Sequence, residues 1–272
     1  MEIPKRKKKL QSLLSIREDI PKKWYLFGVI FAFFFILIVW NVLSVLKLVD
    51  AVFLPTPIEV VTTLAQSLAD SAYWGEIGIS VYRVFMGFLL ACLIGIPLGI
   101  LAGTFKFAES IIVPMSEFIR YMPAAAFIPL IMVWAGIGET AKILVIFIGC
   151  FFQLVLMVAD DTNRISKDLL SASYTLGANR LQVITRVIIP AMLPKLMTTM
   201  RMIMGWAWTY LVVAELVAAN SGLGYTIMKA QRFLDTESIF VGIIVIGLLG
   251  LVIDRCFAMA NKKLFHWAEG GN

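Results

Sequence analysis

The stretch SASYTLGANRLQVITRVIIPAMLP, Ser171 to Pro194, decides how this chain is read. It lies in the longest polar interval of an otherwise apolar sequence, Asp160 to Lys195. Asp168 to Leu176 suits a short helix, with Leu169, Ala172 or Ser173, and Leu176 on one face. Gly177 follows, where a left-handed cap ends such a helix. Asn179 has N-cap chemistry, and Gln182 three residues on completes a capping box. Val183, Ile184, Val187 and Ile188 stripe a second helix, which Pro190 is expected to end before Pro194 leads into the next apolar run. An ordinary interfacial loop explains the polarity of this interval. It does not explain two capped helices with separate apolar faces, which imply a segment kept on one side to touch something soluble.

The surroundings are those of a membrane protein. Of 272 residues 60% are hydrophobic and mean hydropathy is +0.87, more apolar surface than a soluble domain carries. The net charge of +6 is explained by sorting of Lys and Arg across a bilayer rather than by nucleic acid. Cys92, Cys150 and Cys256 lie in apolar runs without a CxxC partner, so each reads as a buried small hydrophobe, not as a disulfide or zinc ligand. The one histidine, His266, is in the tail.

Trp24 to Leu46 carries no charge and is long enough to cross a ~30 Å hydrocarbon core. It follows the basic cluster Lys5 to Lys9, is too long for a signal-peptide core and has no small-residue cleavage site after it, so it reads as an uncleaved anchor. Five further runs lie at about Ser80–Thr104, Ile111–Ala135, Lys142–Ala159, Leu196–Ala219 and Ile239–Ala260. Helices are required, because backbone groups in lipid must pair within the segment. Six spans put both termini on one side. That side then holds 17 of the 24 basic residues, and the other holds Lys47, Lys142, Lys229 and Arg232, so the termini and the polar interval are expected in the cytoplasm. Phe53 to Asp70 falls on the outer side as an amphipathic helix, with Pro57 in its first turn and Ile58, Val61, Leu64 and Leu68 at helical spacing.

The spans are not uniform. Gly95, Gly99 and Gly103 make a small-residue stripe that reads as a packing seam. Pro123 and Pro129 in IRYMPAAAFIPLIMVWAGIG bend the third span. Glu117, Arg120, Glu215, Asp254 and Arg255 intrude on apolar runs, where charges face the bundle interior or a wet cavity unless they snorkel to the interface. Arg201 and Arg255 suit snorkelling. Glu215 lines a pathway or holds the outer end of the bundle. Arg120 is the span charge suited to attract an oxyanion through paired N–H donors, the alternative being a headgroup anchor. Arg120, Tyr121, Met122 and Pro123 with Glu215 are therefore the candidate pathway group.

Several chemistries are missing. No GxxxxGK[ST] phosphate loop occurs, and no HExxH. Asp160–Asp161 is one isolated carboxylate pair, better read as a solvated helix end than as a metal site. Nucleophilic catalysis would have to use the lone tail histidine.

The polar interval resembles the EAA loop of ABC-importer permeases of the binding-protein-dependent type. That pattern is Glu-Ala-Ala, a glycine four residues after the last alanine, and Ile-x-Leu-Pro ten residues beyond the glycine. Here it reads Ser171-Ala172-Ser173, Gly177 and Val187-Ile188-Ile189-Pro190. FLPTP, RVFMGF, GIPLGILAG, IRYMP, IPLIMVWAGIGET, AELVAANSGLG and IFVGIIVIGLLGLVIDR are similar, in order and spacing, to the nitrate, taurine, alkanesulfonate and bicarbonate branch, over about nine-tenths of the chain. The resemblance implies a half-channel in a prokaryotic inner membrane that pairs with a second permease copy, two cytoplasmic ATPase subunits and an extracytoplasmic solute-binding protein. ATP and Mg would be used by the partner ATPase, with no cofactor or metal on this chain and no catalysis by it. Asp168, Ser171, Ala172, Ser173, Leu176, Gly177, Ala178 and Pro190 would form the ATPase coupling surface. Ser171 stands where the family has Glu. Asp168, one helical turn earlier on nearly the same face, is expected to take over part of that role.

The expected protein is thus all-α, with about six transmembrane helices, a cytoplasmic coupling-helix loop and both termini cytoplasmic. Residues 1–23 form a basic tail, 24–79 the first span plus the outer amphipathic helix, 80–260 the permease core with the coupling loop at about 160–195, and 261–272 a C-terminal tail. The function that the resemblance implies is passage of a small anionic solute by ATP-driven alternating access, among membrane lipids and without nucleic acid. A secondary transporter or channel would show an internal repeat, which is not visible, and a membrane-embedded enzyme needs a second carboxylate or histidine cluster.

Overall fold

The computed structural model describes residues 20–50, 52–218 and 220–267, and every regular element among them is helical. Most of the expected basic tail and residues 268–272 lie outside the described residues. The chain divides into two compact units, Met1–Thr62 and Thr63–Asn272.

In the first unit α1 (Lys22–Val45) exposes all its side chains except Ser44, Trp40 and Leu43, which are at least partly covered. Phe27, Phe31 and Phe35 stack along one side with ring centroids 6.2 and 6.1 Å apart. A helix apolar all round, 24 residues long, suits lipid. It ends at Lys47, whose φ of 51° lets the Leu48 N–H turn back to the Leu43 carbonyl. Trp40 Nε1 and Ser44 Oγ then donate to the carbonyls of Pro55 and Leu54 and fix the return of the chain. Amphipathic α2 (Pro57–Ala69) starts with a reciprocal cap: Thr56 N–H donates to the Glu59 carboxylate, and Glu59 N–H to Thr56 Oγ1. Those Thr56 bonds hold the exposed Glu59 carboxyl below its ordinary pKa.

The second unit is built on α3 (Ser71–Thr104), which Asp70 caps by accepting from Ala72 N–H at 2.9 Å. The domain boundary expected at residue 79 therefore falls inside a helix. Facing it is α6 (Glu139–Asn163). The glycine stripe is the seam between them: a Cβ at Gly99 would lie 2.6 Å from Val158 Cβ, and one at Gly103 2.5 Å from the Ala159 carbonyl oxygen. The seam extends to Gly87, where a Cβ would meet Ile146 at 2.7 Å. The third leg, α9 (Ile189–Ala218), closes a core of Val84, Ala91, Ile146, Leu154, Ile203 and Leu211, all fully buried.

The expected third span is not one rod. It is α4 (Lys106–Arg120), a 3₁₀ turn at Ala124–Phe127 and α5 (Ile128–Ala135), bent by 91°. Pro123 makes the break: it disfavours helical geometry at Met122 and itself sits extended at ψ 124°. Pro129 falls in the first turn of α5, where no N–H is missed. Among the described residues five helices are long and apolar enough to span, or six with the bent pair.

Beyond α9, α10 (Leu223–Arg232) and α11 (Thr236–Leu264) form a hairpin, with Leu234 left-handed at φ 56° and Ile227 packed where Gly242 has no side chain. Since α11 runs to Leu264, the tail expected from 261 begins as helix. Arg201 pairs with Asp254 of α11 along one guanidinium edge, Nε and Nη2 donating to the two carboxylate oxygens, while Arg255 is exposed. Of the cysteines, Cys150 is buried and Cys92 half-buried, but Cys256 is exposed, because among the described residues no other element covers that face of α11.

Candidate functional site

The polar interval folds as two short helices. Ser166 Oγ accepts from Asp168 N–H at 3.2 Å and starts α7 (Lys167–Thr175). Gly177, at φ 83°, ends it in a full Schellman turn: Ala178 N–H reaches the Ser173 carbonyl and Gly177 N–H the Tyr174 carbonyl. Asn179 caps α8 (Arg180–Val183) through a complete capping box, both bonds at 2.9 Å.

Two expectations about this interval are corrected. Pro190 does not end the second helix. Residues Ile184–Ile188 wind as a π-helix, with Ile189 N–H bonded to the Ile184 carbonyl five residues back. That wider turn spaces the carbonyls just ahead of Pro190, which has no N–H to place, and the helix runs on into α9 with Pro194 also inside it. The second correction concerns Ser173 and Ala178, expected on the coupling surface, which face the bundle. Ser173 is buried and donates to the Leu170 carbonyl, and Leu170, Ala178 and Val183 pack on the bundle. Leu169, Ala172 and Leu176 point away, Leu176 being 88% exposed. Leu181 is exposed as well, while Tyr174, one turn after Leu170, borders a cavity with Leu170 and Val183 on the other side of α7. Asp168 and Ser171 are also exposed, and Asp168 makes no ion pair among the described residues. Next to the loop, Asp160 pairs with Arg164 at 2.9 Å and raises the guanidinium pKa above its ordinary value. Asp161, expected at a solvated helix end, is instead buried and accepts from Thr199 Oγ1 of α9.

The pathway group divides. Arg120 ends α4 at the bend, its guanidinium 4.5 Å over the Tyr121 ring and bonded to that residue's hydroxyl at 2.9 Å. It borders two cavities. One, of about 340 Å³, is lined by Glu109, Glu117, Gln153, Asp160 and Asn163. The other, of about 170 Å³, is lined by Met122, Gln153, Trp206 and Tyr210. Tyr121 and Pro123 are exposed beside them. Glu215 lines neither cavity. Its fully buried carboxylate accepts from Ser80 Oγ at 2.7 Å, Arg83 Nη1 at 2.6 Å and Gly224 N–H at 2.7 Å. Its place is in the bundle, as a tie between helices.

The centre of that tie is Arg83, a residue the sequence reading left aside. Wholly buried in α3, it donates five hydrogen bonds: two to Glu139, one to Glu215 and two to Ser221. Lys142, expected at the outer end of the fourth span, is buried in the first turn of α6 and bonds Glu139 at 2.8 Å. Glu76 takes the N–H of Gly222, and Ser80 Oγ that of Leu223 at 2.8 Å. Gly222, at φ 105°, has no room for a Cβ beside the Glu215 carboxylate. A signal was present: Glu76, Ser80 and Arg83 recur four and three residues apart, one polar face in an apolar span. Since α6 runs from Glu139 to the polar loop, this network lies at the opposite end of the bundle from α7.

Comparison with known proteins agrees with this geometry. The family described as binding-protein-dependent transport system inner membrane component matches residues 95–266. A Brucella abortus protein described as a probable ABC transporter permease is 39% identical over 80% of this chain and 88% of its own length. The taurine transport system permease protein TauC of Escherichia coli is 34% identical over 85% of this chain and 86% of its own. Among solved structures, an inward-facing form of the MetNI methionine ABC transporter aligns with a TM-score of 0.54 at 21% identity, over 67% of this chain and 94% of that one, which shows a shared fold.

Proposed function

The chain belongs to the family of binding-protein-dependent transport system inner membrane components, as a multi-pass permease of the ABC-importer kind, and from that premise we propose that it passes a small anionic solute of the nitrate, sulfonate or bicarbonate class. It works as one of two permease copies, driven by two cytoplasmic ATPase subunits that use ATP and Mg, and receives its solute from an extracytoplasmic binding protein. The termini and the α7–α8 loop face the cytoplasm, in keeping with the excess of Lys and Arg on that side.

One observation carries the reading. A doubly capped helix pair has one face packed on the bundle and offers Leu169, Leu176 and Leu181 outward. Capped ends hold the unit rigid, and apolar side chains on a polar loop have a reason to be there only if a partner covers them. ATP shifts the permease between states only through contacts that differ between them, and this is the surface suited to make such contacts.

Co-expression with the ATPase tests the proposal. Leu176→Asp leaves the permease folded but abolishes co-purification of the ATPase, and Asp168→Ala weakens solute-stimulated ATP hydrolysis. Full complex and full stimulation with Leu176→Asp would remove the docking assignment. An unchanged Asp168→Ala would remove the role given to Asp168.

A further inference from the structure

We infer that Arg83 and Lys142 form an oxyanion site that the chain keeps filled with its own carboxylate, Glu139. Glu139 Oε2 lies 2.6 Å from Arg83 Nε, and Oε1 lies 2.7 Å from Arg83 Nη2 and 2.8 Å from Lys142 Nζ. Ser221 Oγ stands 2.9 Å from the same Nη2. The two cations are shut in, with side chains 0% and 6% exposed, while the Glu139 side chain is 43% exposed. The carboxylate is therefore the member of the group that an incoming solute can reach.

Arg83 does not depend on Glu139 for its position. Its Nη1 is held by Glu215 at 2.6 Å and by the Ser221 carbonyl at 2.8 Å. When Glu139 swings out, two parallel guanidinium N–H groups and a buried ammonium remain, aimed at one place. That donor set fits the oxygens of a carboxylate, sulfonate or sulfate. The first turn of α6, with its free N–H groups, adds partial positive charge. The other carboxylates of the network are already engaged: Glu215 by Ser80, Arg83 and Gly224, Glu76 by Gly222. An anion taking the place of Glu139 keeps the two buried cations neutralised. The network is at the end of α6 away from the ATPase-docking loop, where the proposed function delivers the solute, and the inference rests on that reading.

The test uses the permease–ATPase complex in nanodiscs of neutral phosphatidylcholine, with labelled sulfate as probe. Glu139→Ala, and Glu139→Gln where alanine impairs folding, bind sulfate at least ~10-fold more tightly than the unaltered chain, a change of about 1.4 kcal/mol. Adding Lys142→Met to either variant abolishes the gain. In nanodiscs containing phosphatidylglycerol, loss of the gain assigns the same donors to a lipid phosphate, and its retention assigns them to a soluble anion. A folded, ATPase-bound Glu139→Gln complex with no gain in sulfate affinity overturns the inference and leaves the permease reading standing. Failure of the unaltered chain to bind the ATPase would overturn that reading instead.

Discussion

Four Gly→Ala substitutions along α3 grade the packing of the bundle by distance alone. At Gly78 an added Cβ meets nothing within 4 Å. At Gly95 the nearest atom is Leu154 Cδ2 at 3.2 Å, the movable end of a side chain. At Gly99 the Cβ falls 2.6 Å from Val158 Cβ and 2.9 Å from the Val155 carbonyl oxygen. At Gly103 it falls 2.5 Å from the Ala159 carbonyl oxygen and from Thr162 Cβ, and Thr162 is held by its own bond to the Val158 carbonyl. Carbon atoms settle about 3.5–4.0 Å apart, so the last two positions require the helices to part by about an ångström. Overpacking of that kind costs about 1–3 kcal/mol, against about 1 kcal/mol recovered from the better helix propensity of alanine. Gly78→Ala is therefore stabilising by up to about 1 kcal/mol, Gly95→Ala near neutral, and Gly99→Ala and Gly103→Ala destabilising, with Gly103 worst because backbone cannot yield. Val158→Gly restores Gly99→Ala better than Val158→Ala does, since Cβ is the atom struck. Thermal midpoints of the purified variants in one detergent give the order. Equal midpoints for Gly103→Ala and Gly78→Ala would refute a seam set by backbone approach.

Two further substitutions probe the ends of the bundle. Arg83→Met leaves Glu215 buried without its cation and costs about 3–5 kcal/mol, while Arg83→Met with Glu215→Leu costs much less, as a double-mutant cycle in the same melting assay reads out. Asn179→Ala removes the capping box of α8 and costs about 1 kcal/mol locally, seen as faster amide exchange at Gln182 and weaker solute-stimulated ATP hydrolysis, whereas Asn179→Asp keeps both.

Features set by neighbours in the chain were readable from sequence. Gly177 and the Asn179–Gln182 box depend on three or four residues each, and the structure has them as read. The glycine stripe and the break at Pro123 rest on steric rules that need no partner. Pro190 misled because a helix has a second way to accept proline: the π turn before it. The Arg83 network was out of reach for a different reason. Its partners Glu139 and Glu215 lie 56 and 132 residues away, and no local pattern pairs a buried arginine with one carboxylate rather than another. Periodicity placed Leu169, Ala172 and Leu176 on one face of α7 correctly as a set, but could not say that this face turns outward, since that depends on Leu170, Ala178 and Val183 finding the bundle first.

The π turn gives the two ends of the molecule a physical connection. From Arg180 to Leu216 the chain is helical for 37 residues without a break, about 55 Å of rod at 1.5 Å per residue. One end is the capped unit beside α7, and the other carries Glu215, whose carboxylate holds Ser80, Arg83 and Gly224 together. Had Pro190 ended the helix, a loop would stand between the two and absorb any displacement of the first. Instead Ile188, Met192, Leu196, Ile203 and Leu211 fix the rod in the core along its length, with Thr199 bonded to Asp161 on the way. Close-packed cores transmit strain rather than damp it. The capped loop unit and the Arg83–Glu215 network therefore stand at the two ends of one continuous element, so that a displacement at either end acts on the same rigid body.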